Sequence, residues 1–183
     1  MKLVVERKGV MYILKNEFIW IGLILIGLFF SSATPYSDQS IVSPLERINW
    51  TWAEPVLATV DFEYAGGPVS LEAKGSAGLI EFLIRKAAHF TVFFALGALL
   101  VKAVSRTRLH AGLTLLFAWA LANTVAIFDE FHQSLTPERT PLIQDIMLDS
   151  FGAACGILLI GGFLLFKQGR HKRSRSGFVA PRW

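Results

Sequence analysis

FDEFHQSLTPERTPLIQDIMLD, residues 128–149, lies between two strongly apolar segments and crowds Asp129, Glu130, His132, Gln133, Glu138, Arg139, Asp145 and Asp149 into the junction. Beside a hydrocarbon layer, ionisable groups are costly unless they are paired or face a wet cavity, so by default they mark a functional site. The flanking sequence supplies that layer. Apolar residues make up 53% of the 183 positions and the mean hydropathy is +0.49, high for a soluble domain. Four apolar runs, residues 17–33, 87–104, 111–128 and 146–166, each come near the ~20 residues that cross a bilayer as a helix. The chain therefore reads as an all-α membrane protein: one domain over 1–183, built as a four-transmembrane-helix bundle.

Charge sets the orientation, because Lys and Arg are retained on the cytoplasmic side. Lys2, Arg7, Lys8 and Lys15 precede the first run; Lys102, Arg106 and Arg108 lie between the second and third; the tail from Lys167 to Arg182 is basic. Placing these three regions on one side leaves twelve of the fourteen acidic residues on the other. Both termini are then cytoplasmic in a multi-pass plasma-membrane protein. Ser31-Ser32-Ala33 has the form of a signal-peptidase site, but the sixteen residues ahead of the first run favour an uncleaved anchor. The net charge of +4 and pI near 9.4 do not indicate nucleic acid, since the basic residues flank apolar runs instead of lining one face. Cys155, the one cysteine, sits inside an apolar run and can form neither an internal disulfide nor a metal cluster.

The outer loop, residues 34–85, is too small for a separate catalytic domain. Residues 35–52 read as loop with a short interfacial helix, Trp50 and Trp52 suiting the headgroup level. Residues 60–64 and 69–73 each alternate apolar and polar around a turn at Gly66-Gly67, a β-hairpin pattern. A lone hairpin is marginal in water, so it must lean on the bundle or the membrane surface. The basic tail, residues 169–183, reads as disordered chain touching anionic lipid.

This topology brings three helix ends to one depth. Arg85, Lys86 and His89 fall on the first turns of the second helix; Asp129, Glu130, His132 and Gln133 end the third; Asp145 and Asp149 begin the fourth. Asp145, Asp149, Gly152 and Gly156 follow a 4, 3, 4 spacing, one helical stripe whose lower half is a Gly-xxx-Gly packing pattern. The two aspartates thus face the bundle interior. Asn123, two turns deeper than Glu130, reads as an interhelical hydrogen bond. Pro137 and Pro141 stiffen the loop that holds Arg139 over the cluster, where its planar fork suits phosphate or carboxylate.

EFLIRKAAHF (81–90), DEFHQSLTPER (129–139) and QDIMLDSFGAACG (144–156) together resemble the VanZ-like family of bacterial membrane proteins, named for a teicoplanin-resistance factor. The resemblance covers about half the chain. Its characteristic positions fall here on Lys86, His89, Asp129, Glu130, His132, Gln133, Arg139, Asp145, Asp149, Gly152 and Gly156. One departure stands out: Glu138 occupies a place where the family motif often has glycine. The resemblance implies a cell-envelope or glycopeptide-resistance-like role and no agreed chemistry.

Several readings of the cluster stay open. As a binding site, Arg85, Lys86 and Arg139 hold an anion while Gln133, Asp145 and Asp149 bond hydroxyls or amines. The ligand is then a phospholipid headgroup, a lipid-linked wall precursor or a lipoglycopeptide. As a membrane enzyme, Asp129 or His132 is the base and His89 the acid, with Glu130 beside them and the cations stabilising a phosphoryl or acyl group. A divalent cation held by Asp129, His132, Asp145 and Asp149 is a variant of that reading. A purely structural salt-bridge network is the plainest alternative, weakened because desolvation can exceed the Coulomb gain of buried pairs. A transporter is weakest, as the charges stop near one face.

Overall fold

The computed structural model describes residues 16–107 and 109–176, with residues 165 and 167–176 as backbone alone. Its elements are α1 (Glu17–Ser32), α2 (Tyr36–Gln39), α3 (Val42–Glu46), α4 (Glu54–Leu57), β1 (Asp61–Tyr64), β2 (Gly67–Ser70), α5 (Leu71–Val104), α6 (Ala111–Ser134) and α7 (Ile143–Ser176). Of the described helices, three are long and apolar enough to cross a membrane: α5, α6 and the stretch Ile143–Leu164 of α7. The first expected run, 17–33, is helical as α1, a shorter apolar helix of 16 residues, ~24 Å at the α-helical rise of ~1.5 Å per residue.

Side-chain size decides how these helices meet. α5 packs most extensively on α7, and the seam is lined with glycine. A Cβ at Gly152 would come 2.6 Å from the Phe90 carbonyl oxygen; Gly156 lies still closer to that of Phe94, and Gly97 to that of Ala153. Backbone meets backbone here, so any larger residue would force the helices apart. α6 completes the core with Ala118, Ala122 and Ala126, spaced one helical turn apart against Phe93, Leu96, Leu100, Val101 and Ile157. The same buried face of α6 then turns polar at Asp129, Glu130 and Gln133. Large apolar side chains such as Phe117, Trp119, Phe128, Phe131, Leu158 and Phe163 remain exposed. That is the pattern of helices contacting lipid.

α1 reaches from one end of the bundle to the other. Its first residue, Glu17, is fully buried and takes Arg106 on both carboxylate oxygens, Nε to Oε1 at 2.5 Å and Nη2 to Oε2 at 2.8 Å, with the Lys102 ammonium 3.6 Å away. Its last residue, Ser32, donates to Asp129 at the opposite end of α6.

Several boundaries differ from the expected ones. The second helix starts at Leu71 instead of 87, because Glu72, Lys74, Glu81, Arg85 and Lys86 interrupt apolarity without interrupting helix. Ser70 caps it by accepting the Ala73 N–H at 3.2 Å. Gly75, at φ +65°, breaks the first turn from the rest. The outer loop is correspondingly shorter than 34–85. The hairpin forms, but its turn residues are Ala65 (φ 56°) and Gly66 (φ 78°), and Gly67 begins β2. This register puts Val69 opposite Phe62 and buries it with Leu57 and Leu79, which anchors the hairpin to α5. The third helix continues to Ser134, and α7 continues to Ser176, so the expected disordered tail at 169–183 begins inside a helix; residues 177–183 lie outside the described part. Lys2, Arg7, Lys8, Lys15 and Arg108 also lie outside it.

Candidate functional site

Polar residues of α5, α6 and α7 meet in two storeys at one end of the bundle. The upper storey is an open cleft of ≈ 410 Å³ between the hairpin, the first half of α5 and the α6–α7 loop. Lys86 ion-pairs with Asp145, which also accepts the Tyr64 hydroxyl. The Lys86 ammonium lies 4.6 Å from the centre of the Tyr64 ring. Burial first, then the bond to Asp145, push the Tyr64 phenol above its ordinary pKa. Tyr64 thus stays a neutral donor in this trio.

Arg139 forms the other wall. Its Nη2 donates to Gln39 Oε1 at 2.6 Å and to the carbonyls of Thr34 at 3.2 Å and Ser31 at 3.5 Å, all neutral oxygens, while its Nε is buried with no hydrogen-bond partner. Among the described residues no carboxylate pairs with it. Partial burial, then the nearby positive charge of Arg85, lower its pKa without threatening the guanidinium's charge. Arg85 is satisfied differently: it reaches Glu81 at 3.2 Å and Gln39 at 3.2 Å, and covers the Tyr36 ring at 4.6 Å. Lys74 also lines the cleft.

Glu138, next to Arg139, has φ 63°, in the left-handed region that favours glycine. This chain bears a glutamate at a position whose backbone would suit glycine. The side chain is held by the Ser37 N–H at 3.1 Å, which lowers its pKa.

The lower storey lies one helical turn deeper on each helix, about 5 Å along the axis. His89 of α5 and Asp149 of α7 face each other with Nδ1 and Oδ1 3.5 Å apart. Asp129 of α6 completes the group; its Oδ1 accepts the Ser32 hydroxyl at 2.6 Å and its Oδ2 the Gln133 amide at 2.8 Å. Ligand atoms of His89, Asp129 and Asp149 lie within 4.8 Å of one another. Asp129 and Asp149 are both buried.

The structure separates some residues that the spacing grouped. His132 leaves the cluster: its ring stacks on Phe29 at 4.6 Å and on Phe128 at 6.3 Å, facing α1. The helix turns His132 one residue away from the buried Gln133, which brings its ring to Phe29 of α1. The expected cation set Asp129, His132, Asp145 and Asp149 is therefore not assembled, and Asp145 belongs to the cleft with Lys86. Glu130 accepts the Leu142 N–H and so fastens the chain entering α7. Asn123 accepts the Ser150 hydroxyl at 2.5 Å, an interhelical bond between α6 and α7. Gly152 and Gly156 lie in the α5–α7 seam described above.

Four participants were not singled out from the sequence. Glu81 carried a readable sign, its i, i+4 spacing to Arg85. Ser32, Gln39 and Tyr64 carried none, since each reaches the site only through the fold. Beside the lower storey an apolar groove of ≈ 280 Å³ runs between α1 and α6 along Leu28, Phe29, Val125 and Phe128, with Asp129 and His132 also on its wall.

A family model described as VanZ/LLP1 matches residues 18–166, a span that includes every residue of both storeys. Comparison with curated proteins gives no match, and comparison with solved structures gives none either.

Proposed function

The chain belongs to the VanZ/LLP1 family, and from that premise we propose that it is a cell-envelope membrane protein whose cleft binds the anionic headgroup of an outer-leaflet amphiphile. Phospholipids, lipid-linked wall precursors and lipoglycopeptides share that chemistry. The observation that carries the reading is Arg139, a guanidinium held open by neutral oxygens at the cleft wall, with a buried Nε that lacks a partner. The Asp129 and Glu130 carboxylates act on Arg139 through space, yet neither pairs with it among the described residues. Instead the cleft keeps a cation unspent, and a planar fork suits phosphate or carboxylate. The groove along Phe29 and Phe128 supports an amphiphile over a soluble anion, as Asp129 on its wall is bonded to Gln133 of the cleft.

The same proposal includes four spans with both termini on the cytoplasmic side. In support, α1 runs between Arg106 at one end and Asp129 at the other, the depth covered by α6. Lys102 and Arg106 near the α5–α6 turn, and Lys167, Arg170, Lys172, Arg173 and Arg175 along the last part of α7, are basic positions at the end opposite the cleft. Cysteine-labelling from either side of intact cells tests this; a labelled Thr51→Cys on the cytoplasmic side would refute it.

Binding is tested on the purified chain by native mass spectrometry and by capture on vesicles with anionic or zwitterionic headgroups. Wild type should retain anionic headgroups, and Arg139→Ala should weaken retention about tenfold or more. A parallel measurement of glycopeptide susceptibility separates the lipoglycopeptide arm from the lipid arm. Equal retention of anionic and zwitterionic lipid by both proteins would sink the proposal.

A further inference from the structure

We propose that His89, Asp129 and Asp149 form a binding site for a first-row divalent cation, zinc or manganese, directly beneath the cleft. Three helices each contribute one ligand, with donor atoms within 4.8 Å of one another. Bond lengths of about 2.0–2.2 Å put neighbouring donors of one coordination shell roughly 3–4.5 Å apart, so little movement closes the set. Two further observations point to a cation. Asp149 is 2% exposed, yet its Oδ1 has no hydrogen-bond partner, and neither has His89 Nδ1 opposite it. A buried carboxylate oxygen without a donor is costly. Here a carboxylate oxygen and an imidazole nitrogen, 3.5 Å apart, face one small space.

Asp129 is prepared in the manner of a metal ligand. Ser32 and Gln133 each donate to one of its oxygens, which fixes the carboxylate plane and leaves a lone pair on each for a cation. No lysine or arginine reaches the trio among the described residues: Lys86 is engaged by Asp145 and Arg85 by Glu81. A single cation would therefore neutralise both aspartates without competition. One imidazole nitrogen with two carboxylates suits zinc or manganese, whereas calcium and magnesium prefer all-oxygen sets.

The site goes beyond the headgroup reading and is measured separately from it. The full-length chain in detergent is stripped with chelator, loaded in turn with zinc, manganese and magnesium, desalted and analysed for metal by mass spectrometry. Wild type should retain about one zinc or manganese per chain, as expected for a preformed protein site. Asp149→Asn and His89→Ala should each lower retention about tenfold, while Arg139→Ala keeps it. Asp149→Asn preserves side-chain shape, and its thermal midpoint is the check on folding. Chelator should lower the midpoint of wild type but not of Asp149→Asn. Failure of wild type to retain zinc or manganese, equal retention by Asp149→Asn, or a chelator effect shared by that variant would each overturn the assignment.

Discussion

The two ends of the bundle both set carboxylates against basic side chains, and they do it in opposite ways. At the Glu17 end one buried carboxylate takes Arg106 on both oxygens and has Lys102 nearby. The carboxylate there is ion-paired within a single cluster, and the result ties α1 to the end of α5. At the cleft end, Asp129, Glu130, Asp145 and Asp149 gather with Lys86, His89 and Arg139, but partners are not matched. Lys86 takes Asp145; Glu130 takes a backbone N–H; Arg139 takes neutral oxygens; His89 and Asp149 face each other at 3.5 Å. At the Glu17 end the buried carboxylate faces two cations, whereas at the cleft end Arg139 has neutral oxygens for partners and Asp149 has only an imidazole opposite it.

The strongest way to break this contrast is to remove the seam that both ends depend on. Gly156→Leu drives a side chain into the Phe94 backbone, and should cost about 3 kcal/mol or more because backbone cannot yield as side chains do. The yield of monodisperse protein in detergent and its thermal midpoint would report it; a wild-type midpoint would mean α5 and α7 do not pack as described. Next comes Glu17→Gln, which should lower stability by about 1–2 kcal/mol, less than for a fully buried pair because Arg106 and Lys102 can turn to water. Lipid retention should be untouched. A loss of retention at unchanged midpoint would reverse the roles assigned to the two ends.

Arg139→Ala is the mirror of that experiment, with retention of anionic lipid down about tenfold, ~1.4 kcal/mol, and stability nearly unchanged. Glu138 gives the smallest effect. Its folded-state pKa is lowered by the Ser37 N–H, so its stabilising contribution is full above the ordinary value of about 4.3 and is lost as pH falls through the lowered one. The midpoint difference between wild type and Glu138→Gln should therefore shrink on acidification; parallel profiles would show that the Ser37 contact carries no stability.

The Glu17 end was nearly invisible in the sequence. Glu17 reads as the edge of an apolar run, and its partners lie 89 residues away at Arg106 and in the adjacent turn at Lys102. The cleft end was far more legible, since charge density beside apolar runs and the Asp145, Asp149, Gly152, Gly156 stripe are local patterns. Helix spacing also brought His89 and Asp149 to one depth. It did not separate His132 from Asp129, because three-residue neighbours share a face only to within a broad angle, and the Phe29 ring that draws His132 aside belongs to another helix. The start of α5 was hidden for a different reason: apolarity locates the membrane-facing part of a helix, while Leu71 to Lys86 is helical beneath a charged surface.

The hydroxyl of Ser32 donates to Asp129, 97 residues later, and its carbonyl accepts Thr136, 104 residues later. α1 is therefore made long before the groups that fasten its end exist. During synthesis it leaves the ribosome with that end unattached, and the lower storey is completed only after α7, which brings Asp149, is in place. The order of birth along the chain makes the site one of the last parts of the protein to be assembled, and contacts of such long sequence separation form slowly.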